Sequence, residues 1–217
     1  MRKEWILRWS FFVLGLIVLS LGASLTIKGK LLGIGPWDVL HYGMFLQWGL
    51  TIGTWSIIVG LVLLSISSVA TKKLPKLGSF LNMLLIGLFI DFFNWVLPST
   101  DSFIGALCFF VLGVILMGYG IGLYVSANVG SGPRDSIMML IIEKTGWKIQ
   151  WVRNAMEVIV LLMGWALGGP VGIGTVIIAL LLGPIVGYSL PQCKTLLKNL
   201  LTENAFYIKG AGYHHKQ

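Results

Sequence analysis

The sequence predicts an all-α integral membrane protein: six transmembrane helices plus two short re-entrant half helices, arranged as an inverted internal repeat. Three observations carry that expectation. First, mean hydropathy is +0.87 and only 11% of the 217 residues are charged, against about 25% in a soluble domain. Second, the hexamer Gly33-Ile34-Gly35-Pro36-Trp37-Asp38 returns 97 positions later as Gly130-Ser131-Gly132-Pro133-Arg134-Asp135. Third, the basic residues gather on one predicted side of the membrane.

The returning hexamer belongs to a longer correspondence. Phe12-Val13-Leu14-Gly15 matches Phe110-Val111-Leu112-Gly113 at a shift of 98, and Gly78-Ser79 with Gly87 matches Gly174-Thr175 with Gly183 at a shift of 96. Anchors before, at and after the hexamer share nearly one shift. That is the mark of a duplicated unit rather than of isolated loop punctuation. The two halves are residues 9–98 and 103–191, and residues 192–217 form a polar tail expected in the cytoplasm.

The first span is expected over Trp9–Ile27. Its apolar run of 19 residues exceeds the roughly 7–15 of a cleavable signal and aligns with a segment of the second half, so it reads as a mature membrane helix. After Lys28-Gly29-Lys30 comes the first hexamer. Gly35 suits a helix cap, and Pro36 suits the first helical position, where its missing N–H is not needed. The helix from Pro36 to Gln47 is only 12 residues, about 18 Å long, too short for a hydrocarbon core of about 30 Å. Spans follow at Ile52–Val69, Leu77–Leu97 and Phe103–Val125. A second short helix is expected over Pro133–Lys144, then spans at Ile149–Leu167 and Ile173–Leu190, the last closed by Pro191. The His214-His215 pair reads as a solvated chain end. Cys108 and Cys193 are expected as free thiols.

Charge decides between topologies. If both short helices dip in and return, with the N-terminus inside, 14 of the 16 lysines and arginines lie inside and only Lys28 and Lys30 outside. If both short helices cross, the split is 10 to 6. The positive-inside rule prefers the six-span arrangement. Three spans per half is odd, so the halves face opposite ways, as in many transporters.

The same observations exclude several functions. The net charge of +8 reads as orienting loop charge and not as a nucleic-acid surface, since no basic stripe with interleaved aromatics is present. No nucleophile with a base, no metal-ligand cluster and no nucleotide loop is legible. Gly33-x-Gly35-Pro lacks the third glycine and preceding strand of a dinucleotide site. No enzyme activity, cofactor or metal is expected. The bilayer is the one certain surrounding, and oligomeric state is left open.

The candidate site lies at the two half-helix ends. Gly33, Gly35, Gly130 and Gly132 leave bare backbone that a ligand can approach, beside helix N-termini carrying partial positive charge. Asp38 and Asp135 stand third in their helices, where they either cap free N–H groups or contact a solute. Arg134 replaces Trp37 in the second copy and either orients the chain or holds an anionic group. His41, Asp91 and Glu157 are further ionisable groups in apolar runs, which default to functional candidates. Glu157 stands four residues after Arg153, so the two can instead form a structural pair. Recurrent glycines, from Gly15 and Gly22 through Gly113, Gly118, Gly120 and Gly122 to Gly183 and Gly187, read as helix-packing positions. Trp5, Trp9, Trp95 and Trp147 fit interfacial belts.

Gly33-Ile-Gly-Pro-Trp-Asp-Val-Leu-His41, Gly53-Thr-Trp-Ser56, Gly130-Ser-Gly-Pro-Arg-Asp135, Gly146-Trp147, Gly172-Ile-Gly-Thr175 and Gly183-Pro184 together resemble the YczE/YitT-type bacterial membrane proteins, most closely the YczE branch. The resemblance covers nearly the whole chain, leaving out the tail after about Thr202. It implies a multi-pass protein of the bacterial plasma membrane and no particular chemistry. The expected function is transport or channelling of a small solute or ion. The alternative is an accessory protein, itself non-transporting, that supports a membrane-bound biosynthetic or export machine.

Overall fold

The computed structural model describes residues 2–130 and 132–211, with side chains described over 3–130 and 132–202. Among these residues the chain forms eight α-helices: α1 (Arg2–Lys28), α2 (Pro36–Trp48), α3 (Ile52–Thr71), α4 (Leu77–Val96), α5 (Phe103–Ala127), α6 (Pro133–Thr145), α7 (Ile149–Ala166) and α8 (Ile173–Ala211). A 3₁₀ turn, Lys30–Leu32, joins α1 to the first hexamer. Five helices, α1, α3, α4, α5 and α8, are long and apolar enough to cross a membrane. The 18-residue α7 carries Arg153 and Glu157 in its first half and does not reach the hydropathy of those five.

Two helix boundaries differ from expectation by more than about two residues, the usual fraying of helix ends. α1 starts near the chain's beginning rather than at Trp9, because Glu4 and Arg8 form an i, i+4 pair at 3.0 Å and Trp5 stacks toward Trp9 at 5.5 Å. More consequential is α8, which does not stop at Pro191 but runs through Pro184 and Pro191 to Ala211. Each proline removes one backbone donor, a loss that membrane helices commonly absorb. Beyond Pro191, Cys193 and Leu197 are buried, and Leu197 joins a cluster with Phe11, Phe12, Leu16 and Tyr124. The segment expected to be a polar tail is thus helix up to Ala211, and its Leu197, Leu200 and Leu201 pack on the start of α1. His214 and His215 lie outside the described residues. Both cysteines are free.

The core is a close crossing of α1 and α5. A Cβ on Gly22 would stand 2.6 Å from the Gly113 carbonyl oxygen, and one on Gly15 would stand 2.9 Å from that of Gly120. Contacts run forward along one helix and backward along the other, so the two are antiparallel. Small residues permit this approach. Gly183 and Gly187 depart from the packing expectation: a Cβ at either would meet nothing within 4 Å, so these two open onto the periphery. α4 is tied to α1 by Ser20 and Ser24, whose hydroxyls donate to the carbonyls of Ile86 and Ile90 at 3.3 and 3.2 Å.

Around this crossing the remaining helices exchange partners. α2 packs along α7, and α6 along α3. The glycine loops do the same. A Cβ on Gly33 would stand 2.6 Å from the Gly172 nitrogen, at the start of α8. One on Gly130 would stand 2.6 Å from the Ser79 nitrogen, at the start of α4. Large apolar side chains such as Leu61, Val62, Phe92, Ile104 and Leu180 are exposed on the outside, a surface that suits lipid contact and would be a liability in water.

Candidate functional site

The short helices are placed by their first residues. In each, proline occupies the first turn and glycine caps it: Gly35 before α2 and Gly132 before α6. Each helix is 13 residues long. Their N-terminal turns face one another across a cavity of about 230 Å³. At the meeting point stand the two residues in the variable position of the hexamer. The Arg134 guanidinium carbon lies 4.3 Å from the centre of the Trp37 ring, within the range of a cation–π contact.

The paired aspartates differ. The Asp135 carboxylate accepts the Gly132 backbone N–H at 3.3 Å, so it caps its own helix. Asp38 is only 5% exposed, lines the cavity, and no hydrogen bond to its carboxylate is present among the described residues. Arg134 is exposed within the cavity. Asp38, Asp135 and Glu157 lie within electrostatic reach of it, but it makes no ion pair within 4 Å among the described residues. The Arg153–Glu157 pairing expected from spacing is present at 3.2 Å, and both side chains line the same cavity.

Of the sequence candidates, the cavity thus gathers Gly35, Asp38, His41, Gly132, Arg134, Asp135 and Glu157. Gly33 and Gly130 are not in its lining; they serve the backbone contacts with α8 and α4 described above. Asp91 is also elsewhere. Its carboxylate accepts the Thr51 hydroxyl at 2.5 Å and the Gly53 N–H at 2.8 Å, so it caps α3 from α4. Asp91→Ala is accordingly expected to lower stability by about 1–2 kcal/mol and to leave activity per folded molecule unchanged, as thermal unfolding and a normalised activity assay would report.

Asn82 was not singled out by the sequence. It lines the cavity, is 1% exposed, and its side-chain nitrogen has no hydrogen-bond partner among the described residues. Its oxygen stands 3.3 Å from where a Cβ on Gly132 would be, which sets it at the start of α6. The available signal was an amide within an apolar run, opposite Ile178 in the other half. His41, also 1% exposed, has an unpartnered Nδ1. Such orphaned buried groups are few in folded proteins and mark sites where something else binds or where water enters.

A family of unknown function, DUF6198, matches residues 6–191. The chain belongs to this family. The chain is 52% identical over 211 residues to YczE, an uncharacterized membrane protein of Bacillus subtilis (strain 168), covering 97% of this chain and 98% of that one. It is 32% identical over 181 residues to an uncharacterized protein of Haemophilus influenzae, covering 83% of this chain and 82% of that one. YyaS, an uncharacterized protein of B. subtilis, is 29% identical over 188 residues, 85% of this chain and 93% of that one. No solved structure matches. The YczE resemblance read from the hexamers therefore holds. It also reaches further than expected, since a match over 211 residues must enter the segment after Thr202. With its several apolar helices, this member of the family is a multi-pass membrane protein.

Proposed function

We propose that the chain is a small-solute transporter of the bacterial plasma membrane, with six spans, two re-entrant half helices, both termini cytoplasmic, and a solute site between the half-helix N-termini. α7 is the sixth span; α2 and α6 are the re-entrant pieces. The antiparallel α1–α5 crossing supports an inverted repeat, because corresponding helices of the two halves then point in opposite directions. The exchanged packing of α2 on α7 and of α6 on α3 supports it as well. The carrying observation is the cavity itself. It holds an exposed arginine and a buried carboxylate, the first without an ion pair and the second without a hydrogen bond among the described residues, both at half-helix starts, as expected of a site near the bilayer midplane. Nothing in this reading requires a catalytic step.

The test is flux. Purified protein in proteoliposomes should accumulate at least one labelled solute from a panel of small amino acids, organic acids and amines, above protein-free vesicles. No flux across the panel, with a stable co-purifying partner, would instead favour the accessory role.

Topology has a separate readout. In a background lacking Cys108 and Cys193, an impermeant thiol reagent added to intact cells should block a cysteine at Ser99 and spare one at Ser68 or Lys73. Labelling of Lys73→Cys from outside would remove the six-span arrangement.

A further inference from the structure

We propose that the cavity takes a small zwitterion with an apolar body, its carboxylate held by Arg134 and Asn82 and its cationic group by Asp38. This rests on the reading of the cavity as a solute site and names the class of solute.

The charges in the cavity separate into satisfied and unsatisfied groups. Arg153 and Glu157 neutralise each other at 3.2 Å. Asp135 is engaged by the Gly132 N–H. Arg134 and Asp38 are left over, one of each sign, with neither an ion pair nor a hydrogen bond to their charged ends among the described residues, while Asp135 keeps its charge as the cap of α6. The Arg134 guanidinium carbon stands 4.3 Å from the centre of the Trp37 ring, a contact that holds the group at the cavity and uses none of its N–H donors, which a carboxylate can then take. The unpartnered Asn82 amide nitrogen adds a second donor beside the α6 N-terminus, whose own partial positive charge has the same sign preference. On the other side Asp38, when ionised, offers acceptors and no donor.

Charge balance selects among ligands. A simple organic anion would satisfy Arg134 and place more negative charge before Asp38. A simple amine would satisfy Asp38 and crowd Arg134. In a low-dielectric site either mismatch is costly. A zwitterion adds no net charge and engages both groups. The space is small, below the roughly 300 Å³ at which drug-sized sites begin. The remaining wall includes Met83, Met117, Met138 and Met156, flexible thioethers that adapt to differing apolar shapes.

The experiment uses purified protein in detergent and isothermal calorimetry with two sets of matched probes. One set is L-leucine, 4-methylpentanoate and 3-methylbutylamine; the other is L-phenylalanine, 3-phenylpropanoate and 2-phenylethylamine. Within a set the body is shared and one charge is removed at a time. At least one amino acid is expected to bind roughly tenfold or more tightly than both of its single-charge analogues. Asp38→Asn should weaken that amino acid by roughly 10–100-fold and bring it level with its anion analogue. Arg134→Gln should bring it level with the amine. If Arg134→Gln fails to give monodisperse protein, the Asp38→Asn comparison decides. An analogue binding as tightly as its parent amino acid, an Asp38→Asn change equal for all three probes, or no binding of either amino acid would overturn the assignment. Flux is read separately. Amino-acid binding without flux leaves the assignment standing and removes transport. Flux of an anion analogue without amino-acid binding does the reverse.

Discussion

Gly22→Leu is expected to leave almost no folded protein in the membrane. Even a Cβ at this position would stand 2.6 Å from the Gly113 carbonyl oxygen and 2.7 Å from the Met117 nitrogen. Both are backbone atoms of α5, so no side-chain rotation relieves the clash. Only separation of the two helices would, and it would open the contact on which α4 and α8 also rest. Overpacking a tight core costs about 1–3 kcal/mol where side chains can yield; here about 3 kcal/mol or more is expected, against a total stability of about 5–15 kcal/mol. The control is Gly187→Ala on α8, followed by Tyr188 and not by a proline. Nothing lies within 4 Å of a Cβ there, so replacing glycine within a helix should raise stability by about 0.5–1 kcal/mol. Membrane levels and thermal midpoints of the two variants would check both. A well-folded Gly22→Leu protein would mean that the α1–α5 crossing is not the core contact.

What the sequence made legible is what depends on short-range chemistry. The starts of α2 and α6 follow from Gly-Pro at cap and first turn. The Arg153–Glu157 pair follows from a four-residue spacing on one helix. What it hid depends on partners far away in the chain. Asp91 looks like an intramembrane carboxylate until Thr51 and Gly53, about forty residues earlier, are seen to bond it. Arg134 and Trp37 read as alternative occupants of one repeat position, and only the fold brings the two copies face to face. Pro191 misled for another reason. A proline stop rule drawn from helices in water undervalues the packing that Leu197 gains against Phe12 and Leu16. Gly183 and Gly187 share their residue type with the crossing glycines, but a Cβ on either would meet nothing within 4 Å among the described residues, which periodicity alone does not reveal.

The two aspartates of the repeated hexamer are expected to respond differently to the same change. Asp135 works through a hydrogen bond to the Gly132 N–H, and an asparagine oxygen can accept that bond about as well as a carboxylate does. Asp135→Asn should therefore alter membrane level and solute uptake little, within about a factor of two by the few tenths of a kcal/mol at issue. Asp38 caps nothing among the described residues and is buried against the cavity, so its charge has no structural duty that asparagine would inherit. If that charge holds part of a solute, Asp38→Asn should keep a normal membrane level and lower uptake by roughly 10–100-fold, the worth of one charge-assisted bond. The measurement is uptake into proteoliposomes at matched protein density for wild type and both variants. Equal, near-normal uptake would remove Asp38 from the site. Equal loss of protein level would make both carboxylates props of the half helices. Only divergence at constant level agrees with two aspartates that both line the cavity, one bound as the cap of its half helix and the other left free for the solute.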